Sequence, residues 1–450
     1  MAPGLRVATR RGRSRRLSTT LALCLLVSAA GASTGSASAT PTVHSAAAPP
    51  PGGINIVGLF DGSTLAGADH EIARARSLGA KLVRAELRWS TLEPHRAGQI
   101  DARALAFTDR LVSDAAAAGI RVIFTVDNTP CWASSAPAAL LGRCRPGTST
   151  AANAWPPTTA AAYAATTSFL AARYGARLAA IEIWNEPDHS NEQYFAGPKK
   201  VERYAALLRA AYTAIKQANP AVTVLGGSLV GANGLFLRAL YRQGIKGYYD
   251  ALAVHFYSLA LASLRAFHEV QVANGDSAPL WLDEFGWSSC YPAKHTQEEQ
   301  PCVTPKVQGQ NLSDIVHSVS RTPFVAATVV YNLQSSRIEN FGVVSRGGTP
   351  KPAFSALRRA LASPFSSAHR VTLSLRRRGS HLVAGGSGPA GDYMGLEAFR
   401  GGVLRYRVLF ALNRFNRYSI TLPGVLGTHG LQVRVFQYWS GVGRGAMAGI

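Results

Sequence analysis

The sequence predicts an α/β fold, namely a (β/α)8 TIM barrel followed by a small all-β domain. Between residues 53 and 363, eight short apolar or β-branched runs alternate with longer helical patterns, as such a barrel requires. From residue 364 onward the helical patterns give way to strand-like runs separated by glycines. Hydrophobic residues make up 47% of the chain, which is enough to bury a large core.

The eight predicted barrel strands are short runs that end near polar or aromatic residues: Ile54–Phe60, Leu82–Leu87, Val122–Val126, Ala180–Trp184, Val222–Gly226, Ala251–Phe256, Leu280–Phe285 and Thr328–Asn332. The clearest helical patterns between them are Asp101–Ala118, Thr158–Tyr174, Val201–Ala218 and Leu235–Gln243. Asp101 occupies an N-cap position, and two prolines precede Thr158. A doubly wound open sheet is the main alternative, but it has fewer strands, and residues 58–62 do not fit its Gly-rich first turn.

The predicted all-β domain covers residues 364–450. Its strand-like runs are Val371–Leu375, Leu404–Leu412, Tyr418–Leu422 and Leu431–Trp439. We expect a structural role for it, covering one side of the barrel. A glycan-binding module is the alternative, although its aromatic residues follow no platform pattern.

Residues 1–39 are typical of an export signal. Six arginines precede the apolar stretch Leu21–Ala30, and small residues lead to an A-x-A site at 37–39. We predict cleavage there, by the general secretory route in preference to the twin-arginine route, and a linker over residues 40–52. The mature protein is then expected outside the cell or in the cell envelope, without stable membrane insertion.

The chain is strongly basic, with a formal net charge of +22. The predicted signal carries six arginines and no acidic residue, so +16 remains after cleavage. Composition and solubility explain this charge most simply; the alternative is attraction to an anionic glycan or a cell-wall polyphosphate. The sequence carries no nucleic-acid-binding motif, and we expect neither a nucleic-acid partner nor an oligomer.

Four cysteines follow the predicted signal, in two close pairs. In an exported chain this spacing favours the disulfides Cys131–Cys144 and Cys290–Cys302. A zinc site would require closer cysteines or nearby histidines. We therefore predict two disulfides and no metal.

Two glutamates stand at the ends of the fourth and seventh predicted strands. Glu186 lies in Ile-Glu-Ile-Trp-Asn-Glu-Pro, and Glu284 lies in Trp-Leu-Asp-Glu-Phe-Gly-Trp. Because the C-terminal ends of barrel strands meet at one face, both carboxyl groups should enter one pocket. Glycosidic cleavage requires such a pair, one protonated to assist the leaving oxygen and one ionised to meet the sugar carbon. By the alternation of side chains, Glu182 should be a buried partner, and Asp283 should face away from Glu284.

These two motifs resemble glycoside hydrolase clan A. The resemblance covers residues 53–363 and implies a retaining glycosidase with Glu186 as general acid/base and Glu284 as nucleophile. Within the clan, Pro130–Trp132 and the strand-four motif look most like family 39, which holds xylosidases, iduronidases and exopolysaccharide endoglycosidases. Family 5, the cellulase-like family, is close behind.

The same resemblance implies further substrate-binding residues. Arg84 would contact Glu284 and keep it ionised, Asn185 would bond the sugar 2-hydroxyl, and His255 and Tyr257 would line the pocket. Tyr331 stands where many clan members have a tryptophan under the sugar. Three tryptophans just past strand ends are further candidates for sugar stacking: Trp89, Trp132 and Trp287.

The resemblance implies a carbohydrate substrate and no cofactor. A catalytically silent, glycan-binding barrel of the cell envelope is the alternative from another class, but the intact motif residues argue against it. A barrel phosphodiesterase would need metal ligands at several strand ends, and the sequence has none there.

Overall fold

The computed structural model describes residues 49–59, 63–257, 260–292, 302–366, 369–438 and 445–449. The predicted export signal and the linker up to residue 48 lie outside these ranges. All described residues belong to one compact unit, Ala48–Ile450. Within the described ranges, no helix combines the length and the apolarity that crossing a bilayer requires.

Eight parallel strands close into a barrel in chain order, which confirms the predicted fold. The strands are β1 (Gly52–Leu59), β2 (Leu82–Arg88), β3 (Arg121–Asp127), β4 (Leu178–Ile183), β5 (Val224–Leu229), β6 (Ala251–His255), β7 (Leu280–Glu284) and β8 (Val325–Val330). The described helices are α1 (Leu65–Leu78), α2 (Trp89–Leu92), α3 (Ala102–Ala117), α4 (Ala138–Leu141), α5 (Ala160–Tyr174), α6 (Lys200–Ala218), α7 (Leu235–Arg242), α8 (Ala260–Ala273), α9 (Pro305–Val319) and α10 (Pro352–Ala362).

Asp101 caps α3, as its sequence position predicts: its side chain accepts hydrogen bonds from the backbone N–H groups of Arg103 and Ala104. Thr304 caps α9 in the same way, and Pro305 is the first residue of that helix. Every residue of β4 is buried, because one face of a barrel strand meets the barrel interior and the other meets the helices. These strands therefore form a rigid base for the residues at their C-terminal ends.

Two strands bulge at those C-terminal ends. Gly227 pairs with Ala253 and Leu229 with Val254, so that Ser228 is the extra residue of β5. In β7, Leu282 pairs with Val254 and Glu284 with His255, so that Asp283 is the extra residue. A bulge interrupts the alternation of side chains. The expectation that Asp283 faces away from Glu284 is therefore wrong, and both residues reach the barrel interior.

The C-terminal segment is all-β, as predicted. Its strands form two antiparallel sheets, in the orders β13-β10-β9 and β12-β11-β14-β15. They are β9 (Ser374–Arg378), β10 (His381–Ser387), β11 (Met394–Arg400), β12 (Val403–Phe410), β13 (Arg417–Leu422), β14 (Leu431–Gln437) and β15 (Ala446–Gly449).

The β domain packs on helix α9 of the barrel through buried polar contacts. Asp314 on α9 lies 2.8 Å from the His369 ring and accepts the backbone N–H of Ala390 at 3.0 Å. Asn416 donates to Asn311 at 2.6 Å. The predicted role in covering one side of the barrel agrees with these contacts.

Both predicted disulfides are present. Cys131–Cys144 closes the loop after β3, and Cys290–Cys302 joins the loop after β7 to the residues before α9, with Cα–Cα distances of 5.7 and 4.9 Å. Each disulfide constrains a loop that follows a barrel strand.

Candidate active site

A cavity of 1320 Å³ opens at the C-terminal ends of the barrel strands. Seven of the predicted site residues line this cavity: Arg84, Asn185, Glu186, His255, Tyr257, Glu284 and Tyr331. Residues from several strands or the loops just after them thus converge on one space. This is the face on which the fold class positions its active sites.

The carboxyl groups of Glu186 and Glu284 face each other in this cavity. Glu186 is 8% exposed and Glu284 7% exposed, and their nearest carboxylate oxygens lie within 4.8 Å of each other. The backbone φ of Glu186 is +48° and that of Trp184 is +70°, a conformation that non-glycine residues adopt at a cost of about 1–3 kcal/mol. The surrounding strands hold this strained turn and so fix the direction of the Glu186 side chain.

Gly286 allows the end of β7 to approach β8. A Cβ atom at this position would lie 2.3 Å from the carbonyl oxygen of Tyr331. The glycine of the Asp-Glu-Phe-Gly-Trp motif is thus required for the close approach of two strand ends that carry Glu284 and Tyr331.

Arg84 connects the catalytic-pair candidates to a deeper layer of carboxyl groups. Its Nη1 donates to Glu284 Oε1 at 2.7 Å, and its Nε donates to Glu182 Oε2 at 2.7 Å and lies 3.5 Å from Asp283 Oδ2. The guanidinium is buried, so its charge is compensated by protein groups rather than by water. The expected contact between Arg84 and Glu284 is present in the structure.

The two carboxyl groups of the deeper layer, Glu182 and Asp283, differ in their protonation. Burial alone would raise the pKa of Glu182, but Arg84 and hydrogen bonds lower it to about 2. Burial and the adjacent Glu182 raise the pKa of Asp283 well above its usual value. A neutral Asp283 beside an ionised Glu182 avoids placing two negative charges together in a buried site. Glu182 is fully buried, as predicted.

His255 and Tyr257 contact the two glutamates directly. His255 Nδ1 lies 2.8 Å from Glu186 Oε1, and the Tyr257 hydroxyl donates to Glu284 Oε2 at 2.9 Å. Burial lowers the pKa of His255 to about 4, so the ring is neutral at pH 7. Burial raises the pKa of Glu284, while the Arg84 charge and the Tyr257 hydroxyl oppose the rise.

Asn185 is oriented by Arg84, whose Nη2 donates to Asn185 Oδ1 at 2.9 Å. Tyr257, Tyr331 and Phe341 form an aromatic group on the cavity wall, with ring centroids 5.6–6.5 Å apart. Tyr331, which stands where many clan A members have a tryptophan, is part of this aromatic group.

The three tryptophans predicted to stack on sugar lie outside the cavity lining. The expectation is wrong for Trp89, which is fully buried with its ring against Trp132 and its indole N–H bonded to Glu93. Trp132 is half-buried and donates to the Glu93 carbonyl, and Trp287 is 5% exposed. Residues just past a strand end also form the barrel wall, and sequence position alone does not separate the two roles.

Several residues of the site were not predicted from the sequence. Asn55 on β1 accepts from Arg84 Nη1 at 3.0 Å, and Ser228 hydrogen-bonds to Glu182. Glu339 accepts from the Tyr331 hydroxyl at 2.9 and 3.0 Å. In the sequence, an asparagine in β1 and a serine after two glycines do not by themselves indicate a site. Their role is visible only once the barrel brings them against Arg84 and Glu182.

The expectation that the strand ends carry no potential metal ligands is wrong. Two groups of side chains there bring three potential ligand atoms within 4.8 Å of one another: Glu182 with His255 and Asp283, and Glu186 with His255 and Glu284. Arg84 lies against both groups, with its guanidinium on Glu182 and Glu284. A divalent ion would have to share these carboxylates with a fixed positive charge. The electrostatics of the site favour the arginine as the cation of both groups.

Sequence comparison assigns the barrel to a family. The sequence model of the cellulase family, glycosyl hydrolase family 5, matches residues 55–301, more than half of the chain. None of the curated proteins matches the chain in sequence.

Solved structures of two families are similar in fold. A family 39 glycoside hydrolase from the gut symbiont Bacteroides cellulosilyticus WH2 superposes with a TM-score of 0.53 at 17% identity, over 87% of this chain and 81% of that one. A GH39 enzyme from Xanthomonas axonopodis pv. citri gives 0.51 at 14% identity, over 84% and 93%. A variant of a GH5_18 protein from Streptomyces cattleya, in complex with Manb1-4GlcNAc, gives 0.52 at 16% identity, over 71% and 83%.

The resemblance to clan A is confirmed. The structural likeness is shared between families 39 and 5, and at these identities it shows the fold alone. The sequence match falls on the second of the two families that the motifs resemble, and the chain therefore belongs to the clan A glycosidases of glycosyl hydrolase family 5, the cellulase family.

Proposed function

We propose that this chain is a secreted, retaining glycoside hydrolase that cleaves O-glycosidic bonds of an extracellular poly- or oligosaccharide. The approach of Glu186 and Glu284 carboxylate oxygens to within 4.8 Å carries the proposal. Retaining enzymes hold the two carboxyl groups roughly 5–5.5 Å apart, whereas inverting enzymes keep them roughly 6.5–9.5 Å apart to admit a water molecule. Because the 4.8 Å bound joins single oxygens of the two groups, it is compatible with the shorter separation. The two disulfides support an oxidising compartment outside the cytosol.

The proposed reaction has two displacements. In the first, a Glu284 oxygen attacks the anomeric carbon while Glu186 gives its proton to the leaving oxygen, so that a glycosyl ester forms and the glycosidic bond breaks. In the second, Glu186 removes a proton from water, and the hydroxyl replaces the Glu284 carboxylate at the anomeric carbon. Each carboxyl group returns to its starting state.

The neighbouring residues suit these roles. Arg84 and Tyr257 donate hydrogen bonds to Glu284, at 2.7 and 2.9 Å, and so favour its ionised form. His255 holds the Glu186 carboxyl through Nδ1 at 2.8 Å. A glycan-binding barrel without activity is the alternative, but it would not require this set of contacts around both carboxyl groups.

The charge of the cavity favours a neutral sugar. Five acidic residues line it, whereas its lining holds a single arginine or lysine, Arg84, within the described part of the chain; the acidic residues are Glu86, Glu186, Asp188, Glu284 and Glu339. Arg84 is already engaged by Glu182 and Glu284. Among these described lining residues, a uronate carboxyl would therefore meet several other carboxyl groups, and the one guanidinium there is already paired. We therefore propose a neutral glycan at the catalytic subsite and interpret the basic composition as a property of the exterior.

Two substitutions test the mechanism. Glu186→Ala should greatly slow hydrolysis of substrates with poor leaving groups but only mildly slow that of activated aryl glycosides, and azide should give a glycosyl azide of retained configuration. Glu284→Gly should abolish turnover even of activated substrates, and azide should then give a product of inverted configuration. Proton NMR of the products checks the configurations. A wild-type product of inverted configuration would overturn the assignment.

The exposed glutamate Glu269 on α8 provides a matched control, because its side chain lies outside the cavity lining and 64% of it is exposed. Glu269→Ala should keep wild-type rates. The substrate charge is tested with neutral and uronate-containing polysaccharides at two salt concentrations. Preferred hydrolysis of the uronate polymer, weakened by salt, would contradict a neutral substrate.

A further inference from the structure

The connection between β10 and β11 is fixed to the barrel. The carbonyl of Gly391 accepts the N–H of Leu261 at 3.0 Å, and the N–H of Ala390 donates to Asp314 at 3.0 Å. Gly391 has a φ of +89° and lies against the end of the Ile315 side chain. Glycine adopts this left-handed conformation without strain, whereas other residues rarely do. The segment therefore enters the barrel surface at a defined position.

This segment places a tyrosine of the β domain on the catalytic cavity. Tyr393 is 36% exposed, although its neighbours Asp392 and Met394 are buried. Tyr393 lines the same cavity as Glu186 and Glu284. The exposed Tyr393 is thus held between two buried residues. The β domain contributes it to a cavity that is otherwise lined by residues of the barrel and its loops.

Tyr393 differs from the other aromatic residues of the cavity. Those residues are buried or half-buried, whereas Tyr393 is exposed. Within the described part of the chain, it makes no ring contact with the group formed by Tyr257, Tyr331 and Phe341. An exposed ring of this kind offers an apolar face for the C–H face of a sugar and a hydroxyl for its polar edge.

We infer that Tyr393 forms a sugar-binding subsite outside the catalytic one, supplied by the C-terminal β domain. The inference rests on the proposed function, because it adds a second binding position for the same glycan. The β domain then has a role in substrate binding in addition to covering the barrel. The consequence is a preference for substrates longer than a disaccharide.

Binding tests this inference independently of turnover. The Glu284→Gln variant, alone and combined with Tyr393→Ala or Tyr393→Phe, is titrated calorimetrically with cello-, manno- and xylo-oligosaccharides of two to six sugars. Longer ligands should bind the parent more tightly than disaccharides. Tyr393→Ala should lower the affinity for the longer ligands about tenfold, which is the scale of one aromatic stacking contact. Tyr393→Phe should retain most of the affinity.

Tyr291→Ala is the matched control, because Tyr291 is 39% exposed and lies outside the cavity lining. Its affinities should equal those of the parent. Equal affinities in the parent and in Tyr393→Ala would overturn the inference, as would a parent that gains nothing from chains longer than a disaccharide. Failure of the proposed function has a different signature, namely the absence of hydrolysis by the wild-type chain.

Discussion

Replacing Arg84 with methionine removes the cation that three buried carboxyl groups share. Glu182, Asp283 and Glu284 would then occupy one buried site without the guanidinium that contacts all three. Methionine keeps much of the side-chain volume, so the change acts mainly on charge and hydrogen bonding. We expect effects on both the pH dependence of activity and the stability of the barrel.

The magnitude for activity follows from the distance. Arg84 Nη1 lies 2.7 Å from Glu284 Oε1, which places the two charge centres about 4 Å apart. At an effective dielectric constant of about 20 this attraction is about 4 kcal/mol, and redistribution of protons among the neighbours offsets part of it. Losing the attraction raises the pKa of Glu284. Because the proposed nucleophile acts in its ionised form, the acid limb of kcat/KM should move to higher pH by about one pH unit or more.

The magnitude for stability follows from Glu182, whose pKa is about 2 against a usual 4.5. A group with a depressed pKa stabilises the fold above its usual pKa, and this stabilisation is lost as the pH falls through the folded value. The difference amounts to about 3 kcal/mol at pH 7. Arg84→Met should remove this stabilisation. The difference in stability between wild type and variant should grow with rising pH, because the unpaired carboxyl groups must then ionise in a buried site.

The assays are the pH profile of aryl-glycoside hydrolysis and urea denaturation at pH 5 and pH 8. Arg110→Met is the control, because Arg110 forms an exposed ion pair with Asp69 at 2.8 Å on the barrel surface. It should retain the wild-type profile and denaturation midpoint. An unshifted acid limb in Arg84→Met, or a midpoint equal to that of the control, would refute the reasoning.

Two further predictions concern the wall of the cavity and one disulfide. Glu339→Ala should raise KM for aryl glycosides about tenfold with a smaller change in kcat, because the Tyr331 hydroxyl loses a charged acceptor; unchanged Michaelis constants would contradict this. The double variant Cys131→Ser/Cys144→Ser should lower the free energy of unfolding by about 3 kcal/mol, because the bond closes a loop with a sequence separation of 13. Urea denaturation measures this change, and an unaltered midpoint would disprove it.

The barrel could be predicted because its strands are short, apolar and regularly spaced between helical patterns. The predicted run Leu280–Phe285 and the observed strand Leu280–Glu284 differ by one residue. The β domain was predicted less completely, since the runs His381–Ser387 and Met394–Arg400 were not recognised as strands. The first contains two glycines, and the second begins with Met-Gly, so neither shows the β-branched composition that signals a strand.

The motif residues of the site were predicted because strand position and residue type coincide. Glu186, Glu284, Arg84 and Tyr257 all line the cavity. Trp89 follows a strand in the same way but is fully buried. Position along a strand identifies the face of the barrel, whereas the choice between cavity and wall depends on packing that is long-range in sequence.

The parity argument failed at Asp283 for a reason that bears on the chemistry. The bulge in β7 turns two consecutive carboxyl groups, Asp283 and Glu284, into the barrel. A regular strand would direct Asp283 toward the helices and leave Arg84 with fewer negative neighbours. The bulge thus places a buried carboxyl group with a raised pKa beside the candidate nucleophile, at 3.5 Å from the guanidinium that also binds Glu284. A neutral Asp283 leaves the charge of Arg84 to Glu182 and Glu284, which favours the ionised form of Glu284, the form that the proposed nucleophile needs.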